Sequence, residues 1–439
     1  MSSAPLPPGP PSPWWGLLHV RDMARDFLGF MAAQQRQYGD VVLLRVPRYL
    51  NILLFHPDHV RDALVHSHDA LIRWERGAEV FAEAHGQSVL VVEGEAWKQR
   101  RKLMQPGFSP RRVEAFVPLM TSACEEALQA WPAQAAFELD FEAAMTALTM
   151  DVILRSLFSS RSGEESRAAA AAVHDISIEG QSEMFWPASL PDWLPWKGRK
   201  RRALRTLDGL IRGHVAARAG RQEGEDLLAM LMQLGLTGET LRDECMTTFL
   251  AGHETSATAL TWWAWCMAAH PEAQERAQAE LAPLQGRTPV LADMATLPWL
   301  TQTIKEALRL YPPAPALLSR RALETFEVGG YQVPRGALLL LAPGLIQRDA
   351  RWFPEPEAFR PERFAPDAPE IPRGSWMPFG AGPRVCLGQH FAMTEITLVA
   401  AMLLQRFRLA PAPGAAPPRP TLNITLRPAT PLRLSLARR

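Results

Sequence analysis

Phe379-Gly380-Ala381-Gly382-Pro383-Arg384-Val385-Cys386-Leu387-Gly388 reads as a glycine-rich loop leading into a helix. Glycines let a backbone turn sharply and pass close to a flat cofactor, so that peptide N–H groups can point at the Cys386 sulfur and stabilise its thiolate. A helix that begins beside the cysteine adds the positive end of its dipole. A thiolate held this way suits a soft metal such as haem iron, to which it donates electron density. The other three cysteines, Cys124, Cys245 and Cys266, read as buried packing residues, because free cysteine is among the most buried residue types.

Around this loop the composition narrows the function classes. The chain has 439 residues, 47% of them hydrophobic, enough for a large core, and length alone would allow two or three domains. A net charge of +1 with both signs interspersed gives no basic field for nucleic acid or an anionic membrane. Four cysteines without C-x-x-C or Cys/His spacing argue against a disulfide framework or a zinc site, and fit a reducing, cytoplasmic setting. Met1 to Val20 holds six prolines and no positively charged region before an apolar core, and no apolar run approaches the roughly 20 residues that span a bilayer. A soluble protein without signal peptide or membrane anchor is expected.

Pattern along the chain predicts helix far more than strand. Pro5 to Pro13 is an extended, proline-rich lead-in, placed at about residues 1–13. Val41 to Val46 and Asn51 to Phe55 read as a hairpin of a small sheet, to which Phe326 to Val333 and Ala337 to Ala342 are expected to add strands. Pro110 to Leu234 has the three- and four-residue apolar spacing of packed helices, broken by a proline- and tryptophan-rich loop from Trp186 to Trp196. Gly238 to His270 is one long helix, ended by Pro271, with no clean polar face near its middle, so it is expected to be central and buried. A further helix over Leu300 to Leu310 stops at Tyr311-Pro312-Pro313, and a last one runs from Leu387 to Phe407. Pro411 to Pro420 reads as a surface loop before a final strand pair.

Three weaker patterns lie at intervals before the cysteine loop. Ala251-Gly252-His253-Glu254-Thr255 sits midway along the long helix, where Thr255 can bond back to the carbonyl of Ala251 and invite a local distortion. His253-Glu254 is no zinc motif, since Ala257 stands where H-E-x-x-H needs its second histidine, and His253 reads as a packing residue. Glu306 and Arg309 share one helix face, with Arg363 following in Pro361-Glu362-Arg363-Phe364; such a spacing alone would be an ordinary ion pair. Trp97 and Arg101 stand one helical turn apart.

Taken in order, these segments resemble the cytochrome P450 family over essentially the whole chain, from about Pro7 onward, and the cysteine loop matches at every defining position. The resemblance implies a single domain over residues 1–439, mainly α with a small β region (α+β), with haem b between the long helix and the Cys386 loop. It implies Cys386 as axial iron ligand, with Phe379, Gly380 and Gly388 shaping the loop, and Trp97, Arg101, Arg320 and Arg384 as holders of the haem propionates. A one-residue slip would exchange Arg320 for Arg321. Glu306, Arg309 and Arg363 become a buried structural network. Ala251, Gly252, Glu254 and Thr255 become the oxygen-activating segment, with Gly252 leaving room above the iron and Glu254 feeding protons.

The activity implied is insertion of one atom of O2 into a hydrophobic small molecule. Pocket walls by family position are the segment Arg73 to Val91, Phe185 and Trp186, Met246 and Phe249, Pro315 to Leu318 with Leu317 and Leu318, and Asn423 to Thr425 with Ile424. No G-x-G-x-x-G after a strand and no P-loop is present, so electrons are expected from a separate ferredoxin or flavodoxin with its reductase, as for stand-alone bacterial members. Lys98 and Lys102, turned away from Arg101, form a face that either docks an acidic carrier or is merely solvated. A monomer is expected. A haem-thiolate isomerase, dehydratase or peroxygenase of the same fold, and a non-enzymatic haem-binding or sensing protein, are the alternatives; the Glu254-Thr255 pair disfavours the former.

Overall fold

The computed structural model describes residues 4–161, 163–186, 194, 197–218 and 224–439. The lead-in is followed by α1 (Leu17–Arg25), α2 (Phe27–Tyr38), the hairpin β1 (Val41–Val46) and β2 (Tyr49–Leu54), α3 (Pro57–Arg61), β3 (Leu71–Arg73), α4 (Glu75–His85), α5 (Gly94–Met104) and α6 (Pro110–Gln129). Then come β4 (Ala136–Asp140), α7 (Phe141–Phe158), α8 (Glu164–Glu183), α9 (Gly198–Ala217), α10 (Leu227–Gln233), α11 (Gly238–Ala269), α12 (Pro271–Leu281) and α13 (Pro298–Leu310). The C-terminal part holds β5 (Arg320–Ala322), β6 (Phe326–Val328), β7 (Tyr331–Val333), β8 (Leu338–Leu341), α14 (Pro343–Ile346), α15 (Gln389–Arg406), β9 (Phe407–Pro411), β10 (Pro420–Asn423), β11 (Thr425–Pro428) and β12 (Arg433–Arg438). The architecture is mainly α with small sheets, as the sequence predicts.

α11 is the axis of the molecule. Its 32 residues, at about 1.5 Å each, span ~48 Å. Trp262 and Trp263 are fully buried on it. Their indole N–H groups donate to Leu426 O at 2.6 Å and to Thr303 Oγ1 at 3.0 Å, fastening α11 to β11 and to α13. Trp262 also stacks on Tyr311 with centroids 4.1 Å apart, which fixes the chain where Pro312-Pro313 end α13. The largest apolar core gathers α6, α7, α11, α13 and α15 around this axis.

The main sheet has the order β1-β2-β8-β5-β3. β8 is four buried leucines, as suits a central strand covered on both faces, and it runs parallel to β2. The Phe326 to Val333 stretch does not join this sheet. It folds on itself as the separate hairpin β6–β7, because Gly329 and Gly330 supply the positive φ of a tight turn. The final helix starts at Gln389, two residues later than expected, with Gly388 at its cap, and Phe407 already belongs to β9. β9 pairs with β12, which pairs with β4, so the end of the chain builds two small sheets instead of one strand pair. The lead-in is extended to Ser12, where a 3-10 turn begins at Pro13. The expected loop over 186–196 lies, apart from Trp186 and Leu194, outside the described residues.

Candidate active site

The Cys386 loop is held by its own backbone: Cys386 N donates to Phe379 O at 3.0 Å and Val385 N to Gly382 O at 3.0 Å. Gly380 and Gly382 have φ of 75° and 73°, which side chains rarely adopt. At Gly382 a Cβ would also fall 2.1 Å from Leu64 O, so only glycine lets the loop pass. Phe379 packs against the main core and anchors the loop's first turn. The thiol lies deep within the fold, and burial raises its pKa; the N–H of Gly388 and the charge of Arg101 act in the opposite direction. Despite that depth the residue as a whole is exposed to solvent. Ala251, in the middle of the otherwise buried α11, is exposed in the same way.

Beside the thiol stands a cluster of four guanidinium groups, Arg73, Arg101, Arg320 and Arg384. Burial lowers all four pKa values; the neighbouring arginines lower those of Arg73, Arg320 and Arg384 further. Arg320 falls to about 10. Arg101 donates to Val385 O at 2.9 Å, and Arg384 sits over the Trp97 ring, 4.2 Å from its centroid, so the tryptophan holds a cation by its face. Glu93 supplies one carboxylate, bonded by Arg384 and 3.9 Å from Arg73 Nη1. The ambiguity at Arg320 is resolved: Arg320 is buried in the cluster, and Arg321 pairs with Glu75 at the surface.

Arg73 is the residue the sequence reading missed as a cation. Antiparallel pairing of β3 with β5 sets it opposite Arg320, a long-range register with no local signal in Leu71-Ile72-Arg73. Its Nε and Nη1 are buried without a hydrogen-bond partner. One carboxylate against four cations, with buried donors left over, fits a dianionic flat group whose two carboxylates reach the arginines while its metal meets the sulfur. Haem has that shape and charge.

On α11, Thr255 Oγ1 donates to Ala251 O at 2.6 Å. The helix is continuous through this turn. Gly252 does not leave room toward the open side. A Cβ there would meet Ile153 Cδ1 at 2.8 Å, so the glycine serves the close approach of α11 to α7. Glu254 accepts from Ser177 Oγ at 3.0 Å and from Thr425 Oγ1 at 2.9 Å, and burial raises its pKa. His253 is buried, bonded to Phe249 O, and pushed down to about 4 by burial.

Behind the site, Arg309 donates to Glu306 and to the carbonyls of Gln347, Pro356 and Ala358, while Arg363 Nε reaches Glu306 Oε1 at 3.2 Å. Of the expected pocket walls, Leu317 lies against the cysteine loop, 3.7 Å from where a Gly380 Cβ would be, and Leu318 is partly exposed beside it. Ile424, at the β10–β11 turn with φ 64°, touches Gly180 of α8. Met246 and Phe249 are a correction: both are buried in the main core, on faces of α11 turned away from the exposed Ala251. Phe185 packs toward Phe27 of α2 in the apolar cluster beneath the sheet, with Trp186 half-buried next to it. Lys98 and Lys102 are exposed on α5, whereas Arg100 turns inward to Glu244 at 2.9 Å.

Comparison with known proteins agrees with this geometry. The cytochrome P450 family model matches residues 6–436. The cyclooctatin synthase of Streptomyces melanosporofaciens is 34% identical, over 93% of this chain and 92% of its own length. The cyclooctat-9-en-7-ol 5-monooxygenase of the same organism is 32% identical, over 90% and 88%. Among solved structures, the retinoic-acid-bound cyanobacterial CYP120A1 superposes with a TM-score of 0.87 at 25% identity, covering both chains completely. CYP175A1 from Thermus thermophillus gives 0.79 at 28%, over 99% of this chain and all of its own. With the family model matched over residues 6–436 and relatives above 30% identity covering most of both chains, the chain belongs to the cytochrome P450 family.

Proposed function

We propose that this P450 inserts one oxygen atom from O2 into a largely hydrocarbon, carbocyclic small molecule, using electrons from a separate ferredoxin or flavodoxin system. Membership of the family makes it a monooxygenase by class. The names of the two Streptomyces relatives support the substrate class, since cyclooctat-9-en-7-ol is a ring alkene bearing one hydroxyl. Among the described residues no helix is long and apolar enough to cross a membrane. The reading takes the chain as one domain.

Haem b bound through Cys386 supplies the activation of O2; the chain supplies binding, orientation and protons. Arg73, Arg101, Arg320 and Arg384 would hold its propionates, and Trp97 holds Arg384 in place. Thr255 donates its hydroxyl hydrogen to Ala251 O, so its oxygen lone pairs are left to accept from a water. Glu254, whose burial favours the protonated form, stands next in sequence as the proton source. Leu317 and Leu318 beside the cysteine loop orient an apolar substrate and keep water away. Lys98 and Lys102 present positive charge to an acidic electron carrier.

The observation that carries this reading is the exposed Cys386 with Arg101 beside it, in a cluster of four arginines around Glu93. The ferrous carbonyl complex should show the red-shifted Soret band of thiolate ligation. Cys386→His should keep some haem through nitrogen, but lose that band and nearly all oxygen insertion. The same change at Cys124, Cys245 or Cys266 should leave the band in any folded, haem-loaded product. A thiolate spectrum in Cys386→His would refute the assignment.

A further inference from the structure

Arg427 lies where four elements meet. From β11 its Nε donates to Glu142 Oε1 on α7 at 2.8 Å. Its Nη1 is 2.9 Å from His174 Nδ1 on α8 and 3.8 Å from Glu254 Oε1 on α11. A guanidinium only donates, so Nδ1 of His174 is the acceptor and carries no proton. Burial first, and then the charge of Arg427, hold this imidazole below its usual range. Between α7, α8 and α11 lies a cavity of about 20 Å³ whose lining includes Glu142, Thr146, His174, His253, Glu254 and Arg427. That is room for one water with polar partners on several sides. His174 is exposed, and Glu254 lies at the inner wall, so a surface imidazole and an interior carboxyl are separated by one cation and one water-sized space.

We propose that His174 is the solvent end of the proton supply to Glu254, and that Arg427 is its gate. The proposal rests on the reading of Glu254 as proton source. When His174 takes a proton from solvent at Nδ1, it loses the lone pair that Arg427 was bonded to and repels the guanidinium, which turns to the carboxylates of Glu254 and Glu142. The Nδ1–H bond then breaks toward the cavity water as that water gives one of its own protons to the Glu254 carboxylate. The imidazole is neutral again and accepts from Arg427. One proton has moved from solvent to Glu254, and no electron has moved. The other charges facing His174 are Asp175 and Glu142, which raise its pKa, and Arg199, which lowers it. His253 stays out of the relay because its Nδ1 is committed to Phe249 O.

The relay is testable on the holoenzyme by infrared spectroscopy. Protonated Glu254 should give a carbonyl band that appears as pH is lowered, identified by its loss in Glu254→Gln, and the band should shift on transfer to D2O. His174→Gln keeps an oxygen that accepts from Arg427 but cannot carry a proton, so exchange at Glu254 should slow by about tenfold or more. In Arg427→Gln, NMR of labelled histidine should show the His174 pKa raised. An unchanged exchange rate in His174→Gln, an unmoved His174 pKa in Arg427→Gln, or no carbonyl band assignable to Glu254 would each overturn the relay. Coupling of electrons to product in Glu254→Gln is the separate arm: if it equals wild type, the role of Glu254 itself falls, whatever the exchange rates show.

Discussion

Arg309 uses Nε and Nη2 to grip both carboxylate oxygens of Glu306, at 2.7 and 2.9 Å, with neither side chain touching solvent. Its remaining three N–H groups go to the carbonyls of Gln347, Pro356 and Ala358, so all five donors of the guanidinium are used. A lysine has three donors and no fork. Arg309→Lys should therefore leave buried acceptors unpaired and cost about 3–5 kcal/mol, with Glu306→Gln costing a similar amount by stranding two arginines. Denaturant unfolding of the variants measures this, and a loss under about 1 kcal/mol would show that the network behaves like a surface pair.

Glu395 is fully enclosed between α15 and α11, with Ser256 Oγ 2.6 Å away, and burial pushes its pKa up to about 8. The folded chain thus keeps a proton that the unfolded chain releases in the ordinary carboxylate range. Stability from this group is fully present below that range and is lost as pH rises through about 8. The slope is about 1.4 kcal/mol per pH unit within the window. Glu395→Gln should flatten the slope and be more stable than wild type at the alkaline end. Glu244, raised to about 7 by burial, adds a slope of the same sign and should remain. Identical pH–stability curves for wild type and Glu395→Gln would contradict the assignment.

Removing the Thr255 hydroxyl leaves the backbone of α11 intact, since its bond to Ala251 O only duplicates the helical contact. Thr255→Ala should bind haem and substrate as before while diverting electrons from product to peroxide, with coupling down by about tenfold or more. Thr255→Ser should restore coupling. Product formed per electron pair is the measurement, and wild-type coupling in the alanine variant would make the hydroxyl dispensable.

Charge reversal of Lys98 and Lys102 tests electron supply. Both are exposed and neither holds the cluster that Arg101 joins, so Lys98→Glu with Lys102→Glu should spare folding and the haem spectrum. Reduction by an acidic carrier should slow, most at low salt, where screening is weak. Unchanged rates and unchanged salt dependence would remove these lysines from the docking face.

Much of the site was legible because its residues are close in sequence or fixed to one helix face. The Cys386 loop, Glu306 with Arg309, and Thr255 with Ala251 are all separations of a few residues, and the structure brings each together. Arg73 and Arg427 were not legible, since each reaches its partners only through strand pairing or hairpin placement across hundreds of residues. The Gly252 reading failed on direction: spacing locates a glycine on a helix but not the side from which a neighbour approaches, here Ile153. Met246 and Phe249 failed likewise, because a buried helix without a clean polar face near its middle gives no side to read.

The extended lead-in does more than precede α1. Leu43 N donates to Pro8 O at 2.7 Å and Gln332 N to Pro5 O at 2.9 Å, so this segment lies along the outer side of β1 and of β7. β1 is the terminal strand of the main sheet, and an uncovered terminal strand is a template for pairing with another molecule. Proline cannot offer an amide of its own for a further strand. Pro8 at β1 and Pro5 at β7 therefore make a self-limiting cover, each accepting at its carbonyl without offering an amide to a further strand. A chain shortened past Pro8 would expose that rim and become prone to aggregation while its haem chemistry stayed intact.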